Sequence, residues 1–422
     1  MKKLIAALIL SIIFNLTFSQ QIAQWNGPNR NGIFPETGLL KKWPDGGPSL
    51  VQKIEGIGRG YSQPVVHKGL IYITGIKKDT MDVVSCYDLK GKLLWETSYG
   101  LSWTGTYPDT RSTPTIENGK IYLVSGMGEI VCLDLKTGKI IWSQNPFKTF
   151  KGKSRAWGIA ESVLLTDKVA VTVIGGAETT VVAYNKLNGA LAWKTKSLGG
   201  ARAYSSSILI ERGGQKLIVA QASEYLMGID PANGNFIWTY KTIQHFKGNT
   251  DLGRGDFTAS PLYYNGYIYI TAGYTQAGVM LQLSEDGKSV SLKWENADLN
   301  PHHGGVVLMG GNLYGSTWKT NSLGGWASVD WNTGELNWFR NWNNKGSIIG
   351  ADGLLYIYEE KNGNFALVQP DANDLKIIST FKIKSGTGMH FAHPSIYNGN
   401  LFVRHGDALM VFNIKASKSP VP

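Results

Sequence analysis

Six of the 14 tryptophans of this chain recur at intervals of 44 to 56 residues, and each closes a copy of one short pattern. The clearest copy runs from Cys132 to Trp142, with apolar and polar residues alternating on both sides of a turn, which predicts two strands. Gly138 supplies the positive φ that the turn requires, and the Asp134 carboxylate can accept hydrogen bonds from the turn backbone. Each copy is therefore predicted to be a β-hairpin. The hairpins end on Trp95, Trp142, Trp193, Trp238, Trp294 and Trp338, and a weaker copy ends on Phe381.

A second landmark precedes each hairpin. Two apolar runs flank a two-residue turn, as at Lys68-Gly69 and Asn118-Gly119, and eight such turns occur. Each unit is thus predicted to be a four-stranded antiparallel meander, and the eighth unit ends after its third strand. The run from Leu50 to Ile54 has no hairpin partner, and an N-terminal strand that completes the last sheet closes the ring of a propeller. The expected fold is an all-β, eight-bladed β-propeller over residues 50–415, with no second domain.

The first 19 residues have the pattern of a signal peptide. Met1-Lys2-Lys3 is a short basic region, and Leu4 to Phe18 is apolar but too short to predict a membrane span. We expect residues 20–49 to form an extended N-terminal arm laid over the propeller and residues 416–422 to form a tail. The mature protein is expected to be exported, to the periplasm or out of the cell.

The composition favours a globular exported protein over one that binds nucleic acid. The chain is 42% hydrophobic and has a net charge of +11, but its lysines are scattered through hairpin turns rather than gathered in one patch. The expected partner is a carbohydrate, a small anionic ligand or an envelope protein, and we expect a monomer. Cys86 and Cys132 occupy equivalent positions of neighbouring units and are predicted to be buried and unpaired.

The hairpin, with aspartate at its turn, Thr-Gly in its best copies and tryptophan at its end, resembles the tryptophan-docking repeat of the pyrroloquinoline-quinone (PQQ) β-propeller superfamily. The likeness covers about residues 50–415 and implies that the repeat tryptophans pack between blades. The superfamily contains quinoprotein dehydrogenases, which oxidise alcohols or sugars with PQQ and Ca²⁺, and binding scaffolds of outer-membrane protein assembly. The segment from Trp25 to Gly32 is similar to the N-terminal motif of exported PQQ-like proteins of unassigned function. The resemblance implies the fold and leaves the function open between these groups.

Loop lengths identify one face of the predicted propeller as the functional one. Turns within the blades are short, whereas the connections between blades are long and carry aromatic and charged residues. Residues that open each innermost strand lie beside these connections and are predicted to ring a central funnel. Guanidinium groups bind carboxylates and aromatic rings stack on sugars, so this ring favours a carbohydrate or an anionic ligand. The predicted ligand-binding residues are Arg111, Arg155, Trp157, Arg202, Tyr204, Asp256, His302, His303, His390 and His393.

Three functions are compatible with such a funnel. The preferred one is a module that binds a ligand or a protein through the looped face. A PQQ- and Ca²⁺-dependent dehydrogenase is the first alternative, but the chain has no adjacent Cys-Cys pair and the ring favours cations over the oxygen ligands of Ca²⁺. The second alternative is a polysaccharide lyase or another glycan-active enzyme, with the candidate residues Tyr107, Tyr204, His302 and Arg202.

Two pairs of histidines are candidate metal ligands. His302-His303 and His390-x-x-His393 could supply imidazole ligands from two blades, but histidine pairs without further ligands are more often structural, so no metal is expected. Asp256 is a candidate general base, and an ion pair with Arg254 is its alternative role. The catalytic candidates are Asp256, His302 and Tyr204, and neither PQQ nor Ca²⁺ is favoured as a cofactor.

Overall fold

The computed structural model describes residues 22–417, except residues 79, 223, 246–255 and 275. The predicted signal peptide, Arg254 and the end of the predicted tail lie outside the described residues. Within the described part, no helix is both long enough and apolar enough to cross a lipid bilayer.

The chain forms eight antiparallel sheets that follow one another around a ring, so the eight-bladed β-propeller is confirmed. Two strands come first, β1 (Ile33–Phe34) and β2 (Ser49–Glu55). Blade one consists of β3 (Val65–His67), β4 (Leu70–Lys77), β5 (Met81–Asp88) and β6 (Leu93–Leu101). Blade two consists of β7 (Thr115–Glu117), β8 (Lys120–Val124), β9 (Ile130–Asp134) and β10 (Ile140–Gln144). Blade three consists of β11 (Leu164–Leu165), β12 (Val169–Val173), β13 (Val181–Asn185) and β14 (Leu191–Lys194), and blade four of β15 (Ile208–Arg212), β16 (Gln215–Ala222), β17 (Tyr225–Ile229) and β18 (Phe236–Lys241).

The remaining blades repeat this arrangement, and the connections add a helix α1 (Pro146–Thr149) and a 3₁₀ turn (Ile243–His245). Blade five consists of β19 (Leu262–Tyr264), β20 (Tyr267–Thr271), β21 (Gly278–Leu283) and β22 (Val290–Asn296). Blade six consists of β23 (Val306–Met309), β24 (Asn312–Thr320), β25 (Leu323–Asp330) and β26 (Leu336–Arg340). Blade seven consists of β27 (Gly346–Ala351), β28 (Leu354–Glu359), β29 (Asn364–Gln369) and β30 (Lys376–Lys382), and blade eight contains β31 (Ser395–Tyr397), β32 (Asn400–His405) and β33 (Ala408–Asn413).

Strand β2 closes the ring, as the sequence predicts. It pairs antiparallel with β33, and Leu50 lies opposite Phe412. The eighth blade therefore takes its outermost strand from the N-terminal side of the chain and its other three strands from the C-terminal side. Because the two ends of the chain share one sheet, the disc is closed by backbone hydrogen bonds.

Four of the six repeat tryptophans, including Trp95 and Trp142, pack against the turn glycine of the next blade. A Cβ atom placed on Gly138 would lie 2.4 Å from the indole of Trp95, and one placed on Gly189 would lie 2.7 Å from Trp142. Both glycines have φ near +70°, so the missing side chain serves the turn and the packing together. The indole N–H of Trp142 also donates to the carbonyl of Lys186 at 3.0 Å. These tryptophans are structural and join neighbouring blades.

The first part of the N-terminal arm lies in the central channel, and the part that follows runs over blade seven, where Trp43 packs on Phe381. Strand β1 runs parallel to β27, the innermost strand of the seventh blade. Arg30, which is 3% exposed, donates to the carbonyls of Ser162, Val163 and Ser207 beside the innermost strands of blades three and four. The arm therefore plugs the channel, and Trp25 lines the cavity above the plug.

Candidate functional site

A cavity of about 240 Å³ opens above the plug, on the face with the long connections. Its wall is formed mainly by residues that come just before the innermost strands of successive blades. Aromatic rings, imidazoles and hydroxyl groups predominate, and Arg111 is the one arginine among the described residues that line it. The lining includes Trp25, Tyr61, Tyr107, Arg111, Trp157, Tyr204, Ser205, Ser206, Thr258, Ser260, Tyr274, His302, His303, Phe391 and His393.

Trp157 stands at the centre of the aromatic wall. Its ring lies 5.6 Å from the ring of Tyr204 and 6.1 Å from that of Tyr274, and its backbone N–H donates to the Tyr204 hydroxyl at 3.1 Å. Burial raises the pKa of Tyr204 to about 12. The phenol is therefore protonated at neutral pH and is a weak candidate for the base of a lyase.

Arg111 reaches the cavity with part of its hydrogen-bonding capacity already used. Its guanidinium donates to the carbonyls of Asp109 at 2.9 Å and Tyr107 at 2.5 Å, and it lies 5.8 Å from the ring centre of Tyr61. Burial lowers the pKa of Arg111, although Tyr61 and Asp109 oppose the shift. Arg111 can hold an anionic group at one side of the cavity, because a guanidinium group forms strong paired hydrogen bonds with a carboxylate.

Arg155 and Asp256 form an ion pair of 2.7 Å, and Asp256 is 3% exposed. Neither residue belongs to the cavity lining. The backbone carbonyl of Asp256 accepts from the N–H of Tyr204 at 3.1 Å, so this pair supports the wall from behind. The structure thus pairs Asp256 with Arg155; the partner considered from the sequence, Arg254, lies outside the described residues.

Arg202 is placed away from the cavity, contrary to expectation. It is 1% exposed and forms an ion pair of 3.2 Å with Glu161, which is fully buried. Burial raises the pKa of Glu161, and Arg202 opposes that shift. The sequence analysis did not single out Glu161, and this carboxylate from the preceding blade explains why Arg202 turns inward. Arg202 is consequently not available to neutralise a uronate.

His390 and His393 also separate. His390 does not line the cavity: its Nδ1 bonds to the Tyr358 hydroxyl at 2.5 Å, and its ring stacks at 3.6 Å on His405. Burial, and to a smaller extent His405, lowers the pKa of His390 to about 3. His393 does line the cavity, with its ring edge-on to Trp25 at 5.7 Å. The two residues cannot form one metal site.

His302 and His303 converge on a residue that the sequence analysis missed, Glu360. The carboxylate oxygen Oε2 lies 3.2 Å from Nδ1 of His302 and 3.5 Å from Nε2 of His303. The other oxygen of Glu360 pairs with Lys345 at 2.9 Å, and both of these side chains are at most 1% exposed. The only hint of Glu360 in the sequence was the Glu359-Glu360 pair at the end of β28, on the looped face. A strand pattern alone does not show that this pair lies beside the histidines of blade six.

The fold and the funnel together define a class: an eight-bladed propeller of the PQQ-like kind, with tryptophan-docked blades and a cavity on the looped face. The particular family follows from comparison with known proteins. The chain belongs to the family described as outer membrane protein assembly factor BamB, whose model matches residues 80–338, more than half of the chain.

Individual relatives come from both functional groups of the class. The outer membrane protein assembly factor BamB of Shewanella oneidensis is 21% identical over 340 residues, which cover 76% of this chain and 80% of that protein. The quinoprotein ethanol dehydrogenase of Pseudomonas putida is 22% identical over 307 residues, which cover 62% of this chain and 46% of that protein. The chain thus spans about half the length of that dehydrogenase.

Solved structures show the same fold. BamB from Moraxella catarrhalis matches with a TM-score of 0.61 and 14% identity, covering 87% of this chain and 99% of that chain. A europium-containing methanol dehydrogenase matches with a TM-score of 0.53 and 12% identity, covering 92% of this chain and 90% of that chain. At these identities the likeness establishes the architecture and nothing about activity.

The residues beside the funnel do not fit a PQQ–Ca²⁺ centre. Ca²⁺ takes roughly six to eight oxygen ligands. Among the described residues, Asp256 is paired with Arg155, and Glu360 is paired with Lys345 and converges with imidazole nitrogens rather than with oxygens. Nitrogen-rich sets of this kind do not select Ca²⁺.

Proposed function

We propose that this protein is an exported, protein-binding module of the cell envelope, and that its partner docks on the looped face with a projecting side chain in the funnel. One observation carries the proposal: the arm closes one end of the channel, while the other end is an open cavity of about 240 Å³ lined by aromatic rings. A central pocket lined by aromatic residues is the usual anchor of a protein interface. Membership of a family described as an outer membrane protein assembly factor supports a protein partner.

The charges around the cavity also support binding rather than catalysis. The acidic groups beside it are engaged by Arg155 and Lys345, and the phenol of Tyr204 is held in its protonated form. A ring-lined pocket whose neighbouring carboxylates are paired suits an apolar or aromatic side chain, and Arg111, which donates to two backbone carbonyls, can bind an acidic group of the same partner.

The proposal is tested by recovering the envelope partner with purified wild-type protein and with two variants. Trp157→Ser removes the central ring of the funnel, and Leu187→Ser removes an apolar side chain that is 71% exposed in a short turn on the opposite face. We expect Trp157→Ser to reduce partner recovery at least about tenfold, as loss of an anchor residue does, and Leu187→Ser to leave it unchanged. Equal recovery by all three proteins would contradict the proposal.

A carbohydrate is a second candidate ligand, because hydroxyl groups share the lining with the rings. Ser205, Ser206 and Thr258 can exchange hydrogen bonds with a sugar, and Arg111 can hold a uronate carboxylate. Titration calorimetry with oligogalacturonate and with a neutral cello-oligosaccharide separates this candidate from the first. Binding of oligogalacturonate that is lost in Arg111→Gln would support a carbohydrate ligand. If neither sugar gives a binding heat, acidic and neutral oligosaccharides of these two kinds are excluded as ligands.

A further inference from the structure

We propose that His302, His303 and Glu360 form a binding site for a divalent transition-metal ion of the Zn²⁺ type, reached from the funnel. The three residues come from two blades, since the histidines precede β23 and Glu360 follows β28. Both histidines line the cavity, so an ion bound there would face it. This proposal does not depend on the proposed function, because a metal site can serve either a protein or a sugar partner.

The geometry is close to what such an ion requires. The two nitrogens and the carboxylate oxygen lie within 4.8 Å of one another, and the two distances to the oxygen are 3.2 and 3.5 Å. With metal–ligand bonds of about 2.0–2.2 Å, tetrahedral coordination separates ligand atoms by roughly 3.4 Å. Two separations are close to this value, and the third, between the two nitrogens, is at most 4.8 Å.

An unsatisfied nitrogen points independently to a missing ligand. Nε2 of His303 is shielded from solvent and has no hydrogen-bond partner among the described residues. Its distance of 3.5 Å to Oε2 of Glu360 does not meet the geometry of a hydrogen bond. Buried polar atoms of native proteins nearly always have a partner, and a bound metal ion would supply one here.

The surroundings hold the three ligands in place. Lys345 donates to the carbonyls of Thr320 and Asn321 at 3.0 and 3.1 Å and binds the far oxygen of Glu360, which turns the near oxygen toward the imidazoles. The ring of Phe391 lies edge-on to His303 at 4.3 Å. Outer contacts of this kind fix the orientation of metal ligands. Lys345 is therefore a positioning residue.

The charge balance predicts what completes the coordination sphere. Lys345 already neutralises Glu360, so a divalent ion would bring two uncompensated positive charges into a poorly solvated site. An anionic ligand entering from the funnel, such as hydroxide or a carboxylate, would offset one of these two charges. Three protein ligands with one open position are typical of metal sites that bind an exogenous group.

The test uses the full chain and Co²⁺ as a spectroscopic substitute for Zn²⁺. We expect one equivalent of Co²⁺ to give visible absorption typical of four- or five-coordination, which Zn²⁺ abolishes and Ca²⁺ does not. His302→Gln and His303→Gln should each weaken Co²⁺ binding at least about tenfold. His67→Gln, which removes an imidazole at a short turn on the opposite face, should leave it unchanged, and circular dichroism confirms that each variant is folded.

A second readout guards against a purely spectroscopic artefact. Zn²⁺ should raise the melting temperature of the wild-type protein and of His67→Gln by mass action, and should not raise that of His303→Gln. Absence of saturable Co²⁺ binding in the wild type, or binding that survives both glutamine substitutions in the cluster, would overturn the proposal.

Discussion

Arg30 of the arm donates a hydrogen bond of 2.5 Å to the carbonyl of Val163, 133 residues further along the chain. The same guanidinium also reaches the carbonyls of Ser162 and Ser207. One side chain therefore joins the arm to blades three and four inside the channel. The acceptors of these three hydrogen bonds are backbone carbonyls, which side-chain substitutions in the blades do not remove.

Replacing Arg30 should destabilise the propeller. Arg30→Met keeps much of the apolar stem but leaves buried carbonyls without donors, so we expect the free energy of unfolding to fall by about 2–4 kcal/mol. Urea denaturation measures the change. Arg340→Met is the matched control, because Arg340 is 48% exposed and bonded to Asp374 at the surface, where such a pair contributes at most about 1 kcal/mol. Equal losses in the two variants would show that the plug does not stabilise the ring.

Breaking the buried ion pair of Arg202 and Glu161 should lower the free energy of unfolding strongly. Glu161→Gln keeps the shape of the side chain but leaves the Arg202 guanidinium buried without its counter-charge, which should cost about 3–5 kcal/mol of unfolding free energy. Asp167→Asn breaks the exposed pair with Lys216 and should cost less than about 1 kcal/mol. Comparable melting temperatures for the two variants would contradict the structural role given to Arg202.

His390 predicts a specific loss of stability in acid. Its pKa is about 3 in the folded protein and near 6.5 in the unfolded chain, so between these pH values the unfolded state binds the extra proton. The contribution of His390 is complete above pH 6.5 and is lost as the pH falls toward 3. When the pH falls from 6.5 to 4, the unfolding free energy should decrease by roughly 2–3 kcal/mol less in His390→Gln than in the wild type.

Urea denaturation across this pH range measures both proteins. Carboxylates that do not contact His390 contribute equally to both proteins, so the difference between the two curves reports His390 together with the stacked His405 ring. Parallel curves would mean that His390 is not held in its neutral form by the fold.

The sequence predicted the propeller because its repeats are local. The spacing from Asp134 through Gly138 to Trp142 encodes one hairpin, and the unpaired run at Leu50 shows how the ring closes. The entry of the arm into the channel was not predicted, because a segment rich in turn-forming residues has no period that reveals what it contacts.

The site was only partly predictable for a different reason. Arg111 and Arg202 both open innermost strands, yet one reaches the cavity and the other pairs with Glu161. Glu360 escaped notice because its contacts to His302 and His303 join two blades that are separate in sequence. Side-chain direction and contacts between blades are tertiary properties, and a single sequence with a clear strand period does not specify them.

The central claim is that a partner engages the ring-lined funnel, and photo-crosslinking in cells that produce the protein tests it most directly. A benzophenone-bearing phenylalanine analogue would replace Phe391, which lines the funnel, or Tyr264, an aromatic residue that is 58% exposed beside a short turn on the opposite face. The account predicts a crosslinked partner from position 391 and none from position 264. Crosslinking from position 264 alone, or to the same partner with equal yield from both positions, would contradict it.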